Sequence, residues 1–472
     1  MRLSFPLFTY PFSLIPSSVS HLAYVFERFP SFTQTFCVRE IMELKRLGVR
    51  PVIFSIHDTR EEAVRHFPAD LFEHVHFLPS GEKLVEEIRR MSDAHQLPQS
   101  VVLTLRQWGG RGDKARVYEA AWIGAKLHEL DRGVKHAHSH FAGVGARTCW
   151  WLRKFYGLSY SFTAHANDIF CKAEDQIPTM SDLFQDASLV VTVSDFSAHL
   201  LSAQFPDASA RVRRVYNGLD LAPFIAARAK SDRSNTSREI LSVGRLIEKK
   251  GYDVLIDACA LLRDRGLKFR CRIVGEGPLE AELKEQIINL GLQQKVELTG
   301  PLPMPEITRL LADETQVFAL ACKTEQGGGM DNLPTVLMEA MAASVPCVST
   351  KLAGVPEMVL DGKTGLLCDE KNPTQLADAL AALLQNSLRR EQVGEAGLEH
   401  AKKHFAKERT ARELLKAFAE CSAMHFDVSL AWREKLLGAL ARRMFNSCRQ
   451  LRHHVTKARD KSFDLVAFMR GT

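Results

Sequence analysis

Strand-like and helix-like segments alternate along the chain in two series, and this alternation constrains the fold more than any other feature. A strand, a helix and a further strand in that rhythm are typical of βαβ units and predict a parallel sheet. The strand-like members include HLAYVF and RPVIFSI in the first series, and EILSVG, RCRIVG, VELTG, VFALA and PCVST in the second. The sequence therefore predicts two doubly wound, Rossmann-like α/β domains.

The chain length and a polar stretch set the expected domain boundaries. At 472 residues the chain exceeds the size at which single hydrophobic cores stop growing. The polar stretch AARAKSDRSNTSR separates the two series at residues 226–238. We expect an N-terminal domain over residues 1–225, a second domain over 226–405, and a helical region with a basic tail over 406–472. Because ligands of such sheets bind outside the carboxyl ends of the strands, the chemistry is expected in the cleft between the domains.

Cysteine usage and hydropathy indicate the compartment. The ten cysteines form no C-x-x-C pair and many lie inside apolar runs, a usage typical of a reduced, cytoplasmic protein. The first twenty residues contain three prolines and no cleavage site after a clean apolar run, so no signal peptide is expected. No segment approaches the ~18 uninterrupted apolar residues of a membrane span. We expect a soluble protein or one peripheral to the inner face of the membrane, with no nucleic-acid partner.

Two carboxylates, Asp331 and Glu339, are separated by seven residues in DNLPTVLMEAMAASVPCVST. Pro334 can occupy the first position of a helix, and apolar residues at helical spacing then form a buried stripe. Glu339 lies off that stripe and leans back toward the free N–H groups of the first turn. That helix end suits a phosphate, and a carboxylate accepts paired hydrogen bonds from a vicinal diol. A sugar nucleotide contains both groups.

Glycines follow the strand-like segments of the second series, where the backbone can approach a ligand closely. Gly244 ends the first of these strands, Gly275 and Gly277 follow the next, and Gly329 belongs to QGGGM before the first carboxylate. The G-x-G pair is not a dinucleotide fingerprint, because Pro278 replaces the continuing x-x-G. A Rossmann oxidoreductase is therefore disfavoured.

These motifs, in this order, resemble the retaining glycosyltransferases of family 4, which have the two-domain GT-B fold. Asp331 and Glu339 match the family's E-x7-E signature, with Asp in place of the usual first Glu, and this departure leaves the preferred sugar open. The other matching segments are SVGRLIEKKG, VGEGPLEAEL, GVPEMVLDGKTGLL, FTAHANDIF and VYNGLD. The resemblance spans roughly residues 22–405 and is greatest to enzymes of exopolysaccharide and colanic-acid assembly.

The resemblance implies a role for each matched residue. Arg245 and Lys250 would hold the diphosphate, as cations already placed where negative charge develops on the leaving group. Asp331 would contact hexose hydroxyls. The residues expected to bind substrate are Gly244, Gly275, Gly277, Gly329, Asn332, Leu333, Pro334, Thr335 and Glu339.

Histidines mark the N-terminal side of the expected site. His165 follows the strand-like YSFTA and matches the family's H-x-x-D-I-F segment, which implies that it contacts the transferred sugar, while Asp168 orients the imidazole or the loop. His136, His138 and His140 alternate and would share one strand face, a spacing that could ligate zinc. No cysteine or carboxylate completes the set nearby, and such strand ends recur in the family without metal, so no metal is expected.

One further loop departs from the family. In PSFTQTF, before the first helix, Gln34 stands where the nearest relatives carry Glu. The loss of that charge either alters acceptor handling or shows that the position is not catalytic.

The predicted function is retaining, metal-independent hexosyl transfer from a UDP- or GDP-linked sugar to a saccharide or lipid-linked acceptor. His165, Arg245, Lys250 and Asp331 are the expected catalytic residues, and no cofactor is expected. The chain has no D-x-D motif to hold manganese. Two alternatives remain open, a sugar-nucleotide epimerase of the same fold, which needs no acceptor, and an inactive scaffold that binds sugar nucleotides.

The basic tail leads to the first prediction. Residues 421–472 hold ten Lys/Arg and four Asp/Glu, which accounts for the whole net charge of +6. Leucines between Leu430 and Phe445 share one helical face opposite basic residues, a pattern of an interfacial helix or of a helix packed on the protein. If the tail binds lipid, the full chain attaches to anionic vesicles in a salt-sensitive way and truncation at Cys421 abolishes attachment. Equally poor flotation of both forms indicates a structural helix.

Overall fold

The computed structural model describes residues 21–31, 34–107, 114–170, 177–231 and 238–423. Thirteen strands are found in this part of the chain. Seven belong to the first sheet: β1 (Leu22–Arg28), β2 (Val52–His57), β3 (Val75–Phe77), β4 (His136–His140), β5 (Ser159–Ala164), β6 (Leu189–Thr192) and β7 (Val212–Arg214). Six belong to the second: β8 (Glu239–Val243), β9 (Arg270–Val274), β10 (Val296–Gly300), β11 (Thr315–Leu320), β12 (Cys347–Thr350) and β13 (Gly365–Cys368).

Helices connect the strands and cover the sheets. Those of the first half are α1 (Thr35–Arg46), α2 (Arg60–His66), α3 (Ala69–Phe72), α4 (Glu82–Asp93), α5 (Gln99–Gln107), α6 (Lys114–Leu130), α7 (Val144–Tyr156), α8 (Ala166–Phe170), α9 (Met180–Asp186) and α10 (Asp195–Gln204). Those of the second half are α11 (Ala222–Lys230), α12 (Tyr252–Asp264), α13 (Glu280–Asn289), α14 (Met304–Asp313), α15 (Thr335–Ala342), α16 (Val355–Met358), α17 (Pro373–Leu384), α18 (Ser387–His404) and α19 (Lys407–Ala423).

Every strand pairing is parallel, and both sheets share one topology. The first runs β3-β2-β1-β4-β5-β6-β7 and the second β10-β9-β8-β11-β12-β13. Strand order reverses beside β1 in one sheet and beside β8 in the other, and the crevice at such a switch point binds ligands. The prediction of two doubly wound α/β domains is confirmed.

The central strands are buried on both faces, as parallel sheets between helices require. All five residues of β8 are buried, and so are all five of β4 although three are histidines. The alternating polar residues of β4 therefore face protein groups rather than solvent.

The chain crosses between the domains twice at one place. The Leu219 backbone N–H donates to the Phe405 carbonyl at 2.8 Å, and Lys407 N–H donates to the Leu219 carbonyl at 3.0 Å. After this crossing α19 packs on the first sheet, with Leu414 only 1% exposed. Before it, Phe224 of α11 belongs to the core of the second domain, so the helix spanning the expected boundary at 225 packs on the C-terminal side.

Within the described ranges, no helix combines the length and apolar character needed to cross a bilayer. The eight cysteines described there are free and buried. The amphipathic stretch between Leu430 and Phe445 lies outside the described residues.

The docking of α19 yields a prediction. Leu414→Ala removes a side chain from the core of the N-terminal domain and should lower its free energy of unfolding by about 2–5 kcal/mol. Trp122, Trp150 and Trp151 all lie in that domain, so tryptophan fluorescence during urea unfolding follows it. Lys416→Ala, at a 79% exposed side chain of the same helix, is the control and should leave the transition in place. A Leu414→Ala transition at the same urea concentration as that of the parent would show that α19 does not stabilise the domain.

Candidate active site

A buried carboxylate between two lysines lies on the side of the cleft that the C-terminal domain provides, called here the C-terminal wall. Asp331 lies between β11 and α15, and its Oδ2 is 2.5 Å from Lys250 Nζ while its Oδ1 is 3.4 Å from Lys249 Nζ. Burial alone would raise the pKa of Asp331, but the two ammonium groups outweigh it and hold the pKa below its ordinary value. Both lysines come from the short 3₁₀ turn Glu248–Lys250 after β8. The cluster therefore lies at the switch point of the second sheet.

Arg245 adds a third cation beside this cluster. Its side chain is exposed, and no described residue forms an ion pair with it. Three cations and one carboxylate leave a local charge of plus two. Such an excess attracts a dianion, and a guanidinium presents its donors in a fork that suits phosphate oxygens.

Glycines let the loops of this wall approach one another. Gly275 has φ +144°, and a Cβ there would collide with the carbonyl oxygen of Gly244. A Cβ on Gly277 would lie 2.5 Å from the Leu246 carbonyl oxygen. The structure thus gives these glycines a packing role between the loops after β8 and β9, and their contact with a nucleotide stays a prediction.

The glycine turn faces the N-terminal domain. Gly328 has φ +82°, and a Cβ built on it would lie 3.6 Å from the Phe170 carbonyl oxygen at the end of α8. The turn is closed by Glu325, whose N–H donates to the Gly329 carbonyl at 2.9 Å. The segment that follows His165 and the segment that precedes Asp331 therefore lie against each other.

Helix α15 begins at Thr335, one residue later than the sequence pattern suggested. Pro334 is the N-cap residue and supplies no side-chain cap. Its carbonyl accepts from the Leu337 N–H at 3.1 Å, so the N–H groups of Thr335 and Val336 are the ones left for another partner. The prediction that Pro334 occupies the first helical position was therefore wrong by one residue. The Leu333 side chain packs in the domain core, so only its backbone can face the cleft.

Asn332 connects the two domains. Its Oδ1 accepts from Ser194 Oγ at 2.7 Å, and its Nδ2 donates to Ser197 Oγ at 2.8 Å. Next to it the Glu357 carboxylate accepts from the N–H groups of Asp195 and Phe196 at 2.7 and 2.8 Å, at the start of α10. The Asn332 side chain is thus engaged in an interdomain contact, and its role in substrate binding stays a prediction.

Glu339 is 5% exposed, and its carboxylate receives no hydrogen bond from a described residue. Burial raises its pKa to about 7, although the charge of Arg39 opposes this rise. Arg39 lies on α1 of the other domain, and its Nε is buried without a partner. A ligand diol or phosphate between them would supply hydrogen bonds that both groups lack.

His165 is held in one orientation on the opposite wall. It directly follows β5, is 7% exposed, and packs against the rings of Phe36 and Phe141, whose centroids are 4.8 and 4.5 Å from its own. Phe141 has φ +67°, a strained conformation for a non-glycine residue that often marks functional sites. His165 Nε2 lies 3.1 Å from His140 Nδ1. Burial lowers the pKa of His165 well below its ordinary value, so the imidazole is neutral.

Asp168 orients the loop and not the imidazole. Its Oδ2 accepts from the His165 backbone N–H at 2.9 Å, and burial raises its pKa to about 6. Of the two roles that the sequence left open for Asp168, the structure selects the second.

The three alternating histidines of β4 form a ladder with polar side chains of β5. His136, His138 and His140 share one buried face, as expected, and stand opposite β5 residues in parallel register. The hydroxyl contacts are His136 Nδ1 to Ser159 Oγ (2.8 Å), His136 Nε2 to Ser161 Oγ (2.7 Å), His138 Nδ1 to Ser161 Oγ (2.7 Å) and His138 Nε2 to Thr163 Oγ1 (3.1 Å).

Within the described part of the chain, one group of side chains has metal-like spacing. Ligand atoms of Glu40, His138 and His140 lie within 4.8 Å of one another. Glu40 is the carboxylate that the sequence did not place near these histidines. Because both nitrogens of His138 already contact hydroxyls, hydrogen bonding accounts for the cluster without a metal. The expectation of no metal stays a prediction.

Gln34 is the N-cap residue of α1 and forms no side-chain capping bond. The neighbouring Phe32 and Thr33 of this loop lie outside the described residues. The consequence of glutamine at this position therefore stays a prediction.

Comparison with known proteins places the chain in a family. Residues 224–400 match the family described as Glycosyl transferases group 1. A protein of Escherichia coli K12 assigned to colanic acid biosynthesis as a glycosyltransferase is 31% identical over 370 residues, which cover 76% of this chain and 89% of that protein. The chain belongs to the group 1 glycosyl transferases. The resemblance seen in the sequence is confirmed.

Two further proteins are similar to this glycosyltransferase. An amylovoran biosynthesis glycosyltransferase of Erwinia amylovora is 45% identical over 145 residues, 31% of this chain and 34% of that protein. The Anabaena HepE protein, solved in complex with UDP, matches with a TM-score of 0.62 and 16% identity, over 84% of this chain and 99% of that chain. At that identity the likeness shows the fold alone, which is GT-B.

Four residues of the candidate site are not indicated by the sequence alone. Lys249 belongs to the matched segment SVGRLIEKKG, but its pairing with Asp331 depends on the path of the 3₁₀ turn. Arg39 and Glu40 lie on a helix with no motif, and nothing in its pattern indicated a cleft. For His140 the sequence pattern indicates only a possible metal ligand. Each of the four interacts, through an ion pair, a hydrogen bond or its charge, with a residue far away in the sequence.

The raised pKa of Glu339 leads to a stability prediction. Between its ordinary value of 4.5 and its folded value of about 7, the unfolded chain releases a proton that the folded protein keeps. The free energy of unfolding therefore falls across that window and stays lower above it. Glu339→Gln does not titrate, so its stability relative to the parent should rise by about 3 kcal/mol between pH 4.5 and pH 8.

Urea unfolding at several pH values measures this difference. Glu282→Gln, at an exposed site on α13, is the matched control and should follow the parent at every pH. A Glu339→Gln curve parallel to the parent from pH 4.5 to pH 8 would show that the carboxyl group keeps an ordinary pKa.

Proposed function

We propose that this glycosyltransferase transfers a hexose, with retention of configuration, from a UDP- or GDP-linked donor to a saccharide or lipid-linked acceptor. The names of the relatives assigned to colanic acid and amylovoran biosynthesis support an acceptor in exopolysaccharide or cell-surface polysaccharide assembly. The reaction would take place in the cytoplasm or at the inner face of the membrane. It would require neither a metal nor a cofactor.

The charge excess at the C-terminal wall is the observation that carries the proposal. The diphosphate of a sugar nucleotide bears two negative charges, and Arg245, Lys249 and Lys250 exceed the single charge of Asp331 by two. These cations follow β8 at the switch point, beside a helix α15 whose N-terminus has no side-chain cap. Such an arrangement stabilises negative charge without a divalent ion.

The Lys250–Asp331 pair suggests how the donor would be positioned. In the free protein the Asp331 carboxylate forms an ion pair with the Lys250 ammonium group, with Oδ2 and Nζ 2.5 Å apart. A bound diphosphate would share Lys250 with Asp331, and the freed lone pairs of the carboxylate would accept hydrogen bonds from hexose hydroxyls. One ion pair would thus connect recognition of the sugar to that of the leaving group.

The chemical step follows from the same arrangement. The bond between the anomeric carbon and the diphosphate oxygen breaks, and its electrons stay on the diphosphate, where the cations stabilise them. The acceptor hydroxyl attacks on the same face and its proton passes to the leaving diphosphate oxygen. The neutral His165 would contact the transferred sugar from the opposite wall. Glu339 would bind the ribose diol.

Donor turnover tests the proposal. The full-length protein is incubated with UDP- and GDP-linked hexoses, with and without EDTA. We expect release of nucleoside diphosphate from one donor, unaffected by EDTA, and ¹H NMR should show that the first-formed sugar keeps the donor's anomeric configuration. Turnover abolished by EDTA, an inverted product, or an epimerised nucleotide would each contradict it.

Lys250→Ala provides the site-specific prediction. Loss of a cation aimed at the leaving group should lower kcat for the donor identified by the panel by about 10²-fold to 10³-fold. Lys284→Ala, which removes an exposed lysine paired with Glu280, is the control and should leave kcat unchanged. A Lys250→Ala protein as active as the control would show that the diphosphate does not bind at the C-terminal wall.

A further inference from the structure

Three side chains form a continuous hydrogen-bonded chain that ends on His165. Glu40 Oε1 lies 3.2 Å from His140 Nε2, and His140 Nδ1 lies 3.1 Å from His165 Nε2. The first residue belongs to α1, the second ends β4 and the third follows β5. His140 thus uses both ring nitrogens inside the protein.

The Glu40 end of this chain is an acceptor. Tyr24 donates its hydroxyl to the same Oε1 at 2.6 Å, so this oxygen accepts there. Because a carboxylate oxygen has no proton to give, His140 must carry a proton on Nε2. The open question is whether Nδ1 of His140 is protonated as well.

We propose that Glu40 and His140 are positioning residues that keep His165 as a neutral imidazole with its proton on Nδ1. A doubly protonated His140 donates from Nε2 to Glu40 and from Nδ1 to His165. His165 Nε2 then accepts, which forces the remaining proton onto the other nitrogen. That nitrogen forms no hydrogen bond with a described residue and is left to donate to a ligand.

The electrostatics around His140 agree with this proton arrangement. Burial alone would lower the pKa of His140, but Cys37 and Glu40 outweigh it and raise the pKa above its ordinary value. Burial raises the pKa of the Cys37 thiol, so the part of this rise that does not require a thiolate comes from Glu40, whose Oε1 lies 3.2 Å from His140 Nε2. His165 cannot take the proton, because burial and the charge of His140 both lower its pKa.

The consequence for recognition depends on the proposed function. A donor hydrogen on Nδ1 selects an acceptor oxygen on the transferred sugar, whereas the other tautomer would present a lone pair and select a hydroxyl proton. The strained Phe141 and the ring of Phe36 keep the imidazole plane in place. The remaining variable is which ring nitrogen of His165 carries the proton, and the pair Glu40–His140, called here the dyad, determines it.

The proton positions can be observed directly. In the full-length protein with ¹⁵N-labelled histidine rings, long-range ¹H–¹⁵N spectra distinguish protonated from unprotonated nitrogens, and His140→Asn and His165→Asn assign the signals. We expect both nitrogens of His140 and only Nδ1 of His165 to be protonated at pH 7.5. A proton on Nε2 of His165 would overturn the proposal, and this readout needs neither a substrate nor a folded Glu40 variant.

Glu40→Gln tests the functional link. Without the carboxylate, His140 should lose its extra proton at or below the ordinary histidine value of about 6.5. The other titratable groups facing it stay uncharged between pH 5 and pH 8, because Tyr24 and Cys37 have raised pKa values and His138 and His165 lowered ones. Arg39, on the same helix, is charged throughout.

The variant should therefore show a pH profile that a merely structural change cannot produce. At pH 8 we expect kcat to fall by about a hundredfold with little change in the donor KM, since one donor to the reacting sugar is lost. Activity should recover as the pH falls below about 6.5, where the imidazolium re-forms. His136→Gln is the control, because that histidine belongs to the same ladder but contacts neither member of the dyad.

Two outcomes would count against the dyad. A Glu40→Gln profile of the same shape as the parent, or a loss no larger than that of His136→Gln, would reduce Glu40 to a packing residue. If no donor is turned over by any form, the proposed function fails while the ring spectrum still decides the tautomer. If transfer occurs and the spectrum shows the other tautomer, only the present inference fails.

Discussion

The electrostatic pairing of Asp331 with Lys249 and Lys250 is the interaction on which the site depends. A carboxylate this deeply buried is stable only beside cations, and the cations in turn avoid a costly isolated burial. Gly251 makes the geometry feasible, since at φ +64° it ends the 3₁₀ turn where a Cβ would collide with the Ala321 carbonyl oxygen. The turn therefore lies directly against the end of β11, and the surplus positive charge is concentrated at one point of the cleft.

The two walls of the cleft have different electrostatic roles. The C-terminal wall carries net positive charge, whereas His165 on the N-terminal wall is neutral and packs against two phenylalanine rings. A second buried cation facing the first cluster would cost solvation and repel it. The positive charge assigned to His140 is instead compensated by Glu40 on the side away from His165. The site can thus contain both a charged and an uncharged hydrogen-bonding surface.

Sequence patterns predicted the elements well because their causes are local. Apolar runs after turn residues became strands of two parallel sheets, and His165 follows β5 where the motif put it. The start of α15 was misjudged by one residue, because proline indicates the beginning of a helix, whereas the exact terminal residue is defined only to within one or two positions. The sequence did not indicate that Asn332 would bind Ser194 and Ser197, since these serines lie in the other domain, more than 130 residues away along the chain.

The sequence by itself determined the strand and helix periods, the division into two domains, and the residue types from which a diphosphate site is proposed, because each depends on neighbours a few positions apart. Only the tertiary structure decided which groups meet. Lys250 and Asp331 are 81 residues apart and Glu40 and His140 are 100 apart, and their pairing requires both sheets to be assembled. The tertiary structure also decided protonation, since the raised pKa of Glu339 and the lowered pKa of His165 come from burial. Burial is a property of the packed molecule, and no local pattern contains it.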